Sequence, residues 1–86
     1  MSNLFIILSL VFALNSPLQT YHVKDSETKE SLCGVKITIN NNDYYTDING
    51  EVTAEPNQKM CLSLISYNDT TLNGDAPIIY LNPATP

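Results

Sequence analysis

The single histidine of the sequence, His22, limits the hydrolytic chemistry that the chain could perform. A nucleophilic triad joins a serine hydroxyl to a histidine base, with a carboxylate behind the histidine. The serines that would have to meet this histidine in space are Ser16, Ser26, Ser31, Ser63 and Ser66. Their spacing indicates no such group, and we interpret His22 as an exposed strand residue. We therefore predict that the chain has no catalytic residues and is not an enzyme.

Metal ligation is the second chemistry that the residue types allow. A zinc site needs three or four Cys or His ligands, and the candidates His22, Cys33 and Cys61 show no paired spacing. Four oxygen-bearing side chains lie close together in the sequence: Asp43, Asp47, Asn49 and Glu51. They lack the fixed ligand spacing and the glutamate at the twelfth position of a calcium loop, so we interpret them as solvated turn residues. The sequence predicts no metal site, no cofactor-binding residues and no cofactor.

The composition restricts the class of partner. The 86 residues include 4 Lys and Arg against 9 Asp and Glu, for a formal charge of −5. There is no basic stripe that could neutralise phosphates, so we predict that nucleic acid is not a partner. Hydrophobic residues make up 43% and charged residues 15%, which is typical of one small folded domain rather than a disordered chain.

The amino-terminal segment predicts export. Leu4 to Leu14 is apolar except for Ser9, and this is too short for the roughly 20 residues of a membrane-spanning helix. Its length is typical of a secretory signal peptide, although no Lys or Arg precedes it. The alternative is an apolar first strand or helix of the domain. We predict a signal peptide over residues 1–18, with cleavage between Ala13 and Thr20, and no membrane span after its removal.

The rest of the sequence alternates with a period of two. Between Gly34 and Asn40, three apolar residues alternate with polar ones, which predicts a strand with one buried face. Polar clusters rich in Asn, Asp and Gly separate such segments at short intervals. The predicted strands are Tyr21–Lys24, Gly34–Asn40, Tyr44–Thr46, Glu51–Ala54, Met60–Tyr67, Thr70–Leu72 and Ile78–Leu81. About seven short strands of this spacing predict a single small antiparallel β-sandwich, Ig-like or transthyretin-like.

The pair Asn49-Gly50 is the strongest turn signal in the chain, because both residues tolerate positive φ. It predicts a hairpin between the strands that flank it, with Asp47 accepting backbone N–H bonds across the turn. We expect Gly34 to permit a tight turn into its strand. These four residues are the structural positions that the sequence singles out, whereas Gly74 is expected in a looser polar loop.

Several motifs occur in the order found in a known family. They are Asp25-x-x-Thr28, the strand segment Leu32 to Ile39, the turn segment Tyr45 to Val52, the strand end Ile65-Ser66-Tyr67, and Ile79 to Pro83. Together they resemble the carboxypeptidase regulatory-like domain, a transthyretin-like β-sandwich common in secreted and outer-membrane proteins of Bacteroidetes-type bacteria. The resemblance covers residues 20 to 83. It departs from the family at Ser31, at Asn68-Asp69-Thr70 and at Val52, where the family has a proline, an x-Gly-Tyr segment and an aromatic residue.

This resemblance implies the organisation and the role of the chain. It places the β-sandwich domain at residues 19–83, followed by a short tail at 84–86. It implies a non-catalytic module that is secreted, periplasmic or on the cell surface, and that binds or supports a protein or glycan at the cell envelope. The residues leave a second hypothesis open, which is a secreted enzyme inhibitor or effector.

Cys33 and Cys61 could form a disulfide in an exported chain. A bridge closing a loop of about 27 residues would stabilise the fold by roughly 3.5 kcal/mol in the chain-entropy model. In the family that the chain resembles, their two strands look to be antiparallel neighbours, which separates the two strand starts by on the order of 20 Å. A disulfide needs Cα atoms within about 7 Å. We therefore predict two free thiols, with Cys33 the more exposed.

Overall fold

The computed structural model describes residues 18 to 84. The predicted signal peptide lies outside this range except for Leu18, and the predicted tail lies outside it except for Ala84. Within the described range, no helix has the length and apolar character needed to cross a membrane.

Seven strands and no helix make up the described part of the chain. The strands are β1 (Gln19–Asp25), β2 (Lys36–Ile39), β3 (Asn42–Tyr45), β4 (Glu51–Ala54), β5 (Lys59–Ser63), β6 (Thr70–Asn73) and β7 (Ile78–Leu81). They form a three-stranded sheet in the order β4-β1-β7 and a four-stranded sheet in the order β3-β2-β5-β6. The predicted all-β class with about seven strands is confirmed.

The prediction of purely antiparallel pairing is wrong for one pair of strands. β1 and β7 are parallel, with Val23 opposite Ile79 and Asp25 opposite Leu81. The N–H of His22 donates to the carbonyl of Pro77 at the start of this pairing (2.8 Å). β7 follows a strand of the other sheet and enters the three-stranded sheet from the same end as β1. Local sequence patterns carry no information about that direction.

The predicted hairpin at Asn49-Gly50 is also wrong, because β3 and β4 belong to different sheets. The turn there carries the chain from one sheet to the other, with Gly50 at a φ of +74°. The true two-residue hairpin joins β2 to β3 through Asn40 and Asn41, whose φ values are 51° and 66°. Two consecutive positive φ values match the twist of an antiparallel pair, which is the same property that suggested the wrong turn.

One hydrophobic core is formed by side chains from both sheets. Alternate residues of β1, β2, β5 and β7 are buried, as the period-two pattern predicts. The core residues are Tyr21, Val23, Val35, Ile37, Ile39, Ala54, Met60, Leu62, Ile79 and Leu81. The domain therefore encloses a single apolar interior between its two sheets.

Gly74 lies against this core rather than in a loose loop. The buried Tyr21 hydroxyl donates to the Gly74 carbonyl (2.6 Å), and burial raises the pKa of that hydroxyl. A Cβ atom at Gly74 would lie 2.8 Å from both Met60 Sδ and the Tyr21 hydroxyl oxygen. The polar neighbours of Gly74 in the sequence concealed this contact, so the expected looseness is wrong.

β5 ends four residues earlier than predicted, at Ser63. The chain turns instead of continuing, with the N–H of Tyr67 donating to the Leu64 carbonyl (3.1 Å) and Ser66 at a φ of 72°. Tyr67 then pairs with Pro83 in an isolated bridge. The apolar run at this point therefore includes a turn, which a hydrophobicity pattern does not reveal.

Candidate functional site

A groove of about 360 Å³ opens between the two sheets, at the side formed by the edge strands β3 and β4. We call it the β3–β4 groove. Its lining residues are Leu18, Ile39, Asn40, Asn42, Tyr44, Thr53, Ala54 and Glu55. The volume is at the lower end of the range for ligand pockets in proteins.

The strand register explains why these residues line the groove. Ile37 and Ile39 point into the core, and the residues opposite them on β3 are Tyr44 and Asn42. Opposite residues of an antiparallel pair share a face, so both β3 side chains point inward at the edge of the sheet. Tyr44 lines the groove at this edge and remains 37% exposed.

The groove has an apolar floor and a polar wall. Ile39 and Ala54 are 4% and 5% exposed, and the aromatic ring of Tyr44 stands at the rim. The wall carries amide, hydroxyl and carboxylate groups from Asn42, Thr53 and Glu55, and in the described part of the chain no Lys, Arg or His lines the groove. This combination suits a ligand that presents apolar groups together with hydrogen-bond donors or positive charge.

The groove's polar side chains are largely free for a ligand. Within residues 18 to 84, the Tyr44 hydroxyl, the Asn42 amide and the Glu55 carboxylate make no side-chain hydrogen bond, whereas Thr53 Oγ1 lies 3.3 Å from Thr20 Oγ1. In the same part of the chain, no buried side-chain N or O atom lacks a partner. The fold therefore satisfies its interior polar atoms internally, engages the groove's Thr53 and Asn40 side chains, and leaves those of Asn42, Tyr44 and Glu55 without a partner among the described residues.

A second polar cluster lies at the opposite end of the strands, around Asp25. Its Oδ1 accepts the N–H groups of Glu27 (2.7 Å) and Thr28 (2.9 Å), and its Oδ2 accepts the Tyr67 hydroxyl (2.6 Å). The hydrogen bond from Tyr67 is the largest cause that lowers the pKa of Asp25, and the same bond raises the pKa of Tyr67. The carboxylate ties the loop after β1 to the turn after β5, which is a structural task.

Asp43, Asp47 and Glu51, the acidic residues considered for a calcium site, each interact with a different partner. Asp43 Oδ1 accepts the Thr38 hydroxyl (2.7 Å), and Asp47 Oδ1 accepts the N–H groups of Asn49 and Glu51 (2.9 Å each). Glu51 Oε1 lies 3.4 Å from His22 Nε2 on the outer face of the three-stranded sheet. Within the described residues, no group of three or more His, Cys, Asp or Glu side chains could hold a metal ion.

Gly34 and Gly50 both adopt positive φ, at 76° and 74°. Around Gly34 there is open space, but a Cβ at Gly50 would lie 2.9 Å from the Val23 carbonyl oxygen and 3.1 Å from the Leu32 nitrogen. Gly50 therefore lets the turn between the sheets lie directly against the backbone of β1. Asp47 and Asn49 shape the same turn through their hydrogen bond.

Thr46 is a buried polar residue near these glycines, and the sequence motifs did not indicate its role. Its hydroxyl accepts the Val35 N–H (2.9 Å) and donates to the Leu32 carbonyl (2.7 Å). These two bonds fix the segment that leads into β2. A β-branched residue with a hydroxyl, placed just before a turn, was the available signal.

Cys33 and Cys61 are both exposed, and neither is in a disulfide. β2 and β5 are antiparallel neighbours, as the resemblance implied, and Cys61 stands opposite Thr38. Cys33 lies in the turn before β2, five residues ahead of Thr38 and outside the paired residues of that strand. The sheet register therefore keeps the two positions apart.

The sequence matches no protein-family model, and no curated protein sequence matches it.

Proposed function

We propose that the chain is a non-catalytic binding module of the cell envelope. In this proposal the two sheets form a β-sandwich similar to the carboxypeptidase regulatory-like domain, and residues 1–18 direct export to the periplasm or the cell surface. The two-sheet arrangement around one core supports the architecture. The ordered family-like motifs described above support the assignment to that type of domain.

The observation that carries the binding function is the β3–β4 groove. It combines a buried apolar floor with an aromatic ring and polar groups that the fold does not use. A folded domain gains no stability from leaving such groups at the mouth of a groove, whereas a partner could bury the ring and satisfy the hydrogen bonds. The partner that we propose is a protein or a glycan of the envelope.

A capture experiment with a matched pair of variants tests this function. The wild-type protein, Tyr44→Ser and Thr71→Ser are immobilised and exposed to the solubilised native envelope. Thr71 lies on β6, at the other edge of the four-stranded sheet, so Thr71→Ser is the control. We expect one component to bind the wild type and Thr71→Ser but not Tyr44→Ser. The proposal fails if no component discriminates, or if the protein turns over a substrate from a hydrolase panel.

One observation favours the second hypothesis, a secreted enzyme inhibitor. Ile48 is 84% exposed at the tip of the turn between the sheets, and Asp47 holds that turn with two N–H bonds. A rigid turn that presents an apolar side chain would suit insertion into the pocket of a target enzyme, because little entropy is lost on binding. Inhibition of a secreted hydrolase by the wild type but not by Ile48→Asp would favour this function.

A further inference from the structure

We propose that the free edge of β3 receives an extended, positively charged segment of a partner protein, which adds a fifth strand to the four-stranded sheet. Alternate apolar side chains of that segment would enter the β3–β4 groove. The inference rests on the proposed binding function and names the class of partner for the same site. Strand addition takes its affinity from main-chain hydrogen bonds and its specificity from side-chain pockets.

The register of β3 shows which main-chain groups are available. β3 pairs with β2 alone, and beyond the paired residues the Thr46 N–H donates to the Val35 carbonyl (3.1 Å). Hydrogen-bonded and non-bonded pairs alternate along an antiparallel ladder, so Asn42 and Tyr44 also bond toward β2. The N–H and C=O groups of Asp43 and Tyr45 therefore point away from β2, toward the open edge.

An added strand at this edge would place its side chains where the structure has room for them. Successive residues of a strand point to opposite faces of the sheet. Residues on the same face as Asn42 and Tyr44 would therefore point into the groove, above the buried Ile39 and Ala54. The other residues would lie on the outer face, beside Asp43 and Tyr45.

The charge around the edge specifies a cationic segment. Among residues 18 to 84, Glu55 is the one charged residue that lines the groove, and Asp43 lies on the edge strand itself. The whole chain carries a formal charge of −5. A segment that alternates apolar and basic residues would bury its apolar groups in the groove and place its basic groups on the outer face beside Asp43, while Glu55 adds negative charge at the groove itself. A neutral glycan would use the groove but not the row of main-chain groups beside it.

The other edges are less suited to strand addition. On β4, the Glu51 carbonyl accepts the Asp47 N–H and the Glu51 N–H donates to the Asp47 carboxylate (2.9 Å each). At the end of β7, the Asn82 carbonyl accepts the Asn68 N–H (2.9 Å), so a neighbouring segment already covers that part of the edge. The β3–β4 groove lies next to the edge of β3 and not next to the edge of β6.

The test uses three synthetic eight-residue peptides and the ¹⁵N-labelled protein. One peptide alternates Val and Lys, the second alternates Val and Glu, and the third is the cationic peptide with alternate amides N-methylated. A neutral chitin tetrasaccharide is the glycan probe. We expect the cationic peptide to shift the amide resonances of Asp43 and Tyr45 and to slow their hydrogen exchange by about tenfold. The anionic and N-methylated peptides should have no such effect.

Two protein variants complete the design. Asp43→Pro removes an N–H that faces the open edge, a change that edge strands tolerate. Thr71→Pro is the matched control, because the Gly74 N–H donates to the Gln58 carbonyl (2.8 Å) and the alternation then points the Thr71 N–H away from β5. Asp43→Pro should lower the affinity for the cationic peptide by about tenfold, and Thr71→Pro should change that affinity by less than about twofold. Glu55→Lys should also lower the affinity for the cationic peptide. This variant tests the inference if Asp43→Pro does not fold.

Four results would overturn the inference: no shift at Asp43 and Tyr45, equal binding of the N-methylated peptide, equal loss in the two proline variants, or binding of the tetrasaccharide alone. The proposed binding function is judged separately by the envelope capture. If Asp43→Pro still captures the wild-type partner, the strand-addition inference fails and the binding function stands.

Discussion

Gly34 and Gly50 provide a matched pair for testing how the turn between the sheets is built. Their φ values differ by only 2°, at 76° and 74°. Alanine at either position must adopt the left-handed conformation, which costs about 1–2 kcal/mol. At Gly34 the new Cβ meets nothing within 4 Å, so this cost stands alone.

At Gly50 the new methyl group meets backbone atoms that cannot rotate away. It would lie 2.9 Å from the Val23 carbonyl oxygen and 3.1 Å from the Leu32 nitrogen, which are themselves hydrogen-bonded to each other (2.9 Å). Relieving this overlap requires β1 to move, at a further cost of about 1–3 kcal/mol. We therefore expect Gly50→Ala to be less stable than Gly34→Ala by about 1–3 kcal/mol.

Urea unfolding, followed by circular dichroism, measures this difference directly. For a domain of this size, each kcal/mol also lowers Tm by about 4–8 °C. If Gly50→Ala does not fold in buffer, both variants are measured in the same concentration of a stabilising osmolyte. Equal stabilities for the two variants would show that the turn does not lie against β1 as described.

Other parts of the molecule give three further predictions. Asp25→Asn should destabilise the protein above about pH 4. Because the pKa of Asp25 is lowered in the folded state, its stabilising contribution is lost as the pH falls through that lowered value; a stability difference between wild type and variant that does not shrink as the pH falls below about 4 in urea titrations would contradict this. Gly74→Val should lower Tm measurably, because the side chain must displace Met60 and Tyr21; an unchanged Tm would refute the close contact. Alkylation of the unreduced protein followed by mass spectrometry should modify both Cys33 and Cys61, and an unmodified pair two mass units lighter would show a disulfide.

The strands were the most predictable part of the fold. The bounds of β4 and β7 follow from the sequence, and the buried residues of β2 are those that the alternation indicated. This succeeds because a strand with one buried face imposes its period of two on any sequence that forms it. Strand identity is therefore a local property of this chain.

Strand pairing was much less predictable, because it depends on contacts between distant residues. Asn40-Asn41 and Asn49-Gly50 both supply residues that tolerate positive φ, yet only the first pair closes a hairpin. Which sheet the next strand joins is decided by the shared core and not by the turn. The parallel pairing of β1 with β7 and the packing of Gly74 beneath Tyr21 have the same non-local origin.

The candidate site could not be predicted from the sequence for a related reason. The β3–β4 groove is formed by strands that follow each other in the chain but lie in different sheets. The predicted hairpin would pair β3 directly with β4 and would leave no groove between the two strands. Tyr44 was recognisable as a strand residue, but its position at an open edge depends on the topology of both sheets.

Site-specific photo-crosslinking in the cells that produce the protein tests the proposed binding function most directly. A photoreactive phenylalanine analogue replaces Tyr45 at the open edge of β3, Thr71 on β6, or Ile48 on the turn between the sheets. The binding account predicts one discrete adduct, with a protein or a glycan, from position 45 and none from position 71. Adducts from position 48 alone, equal labelling from positions 45 and 71, or no adduct from position 45 would contradict it.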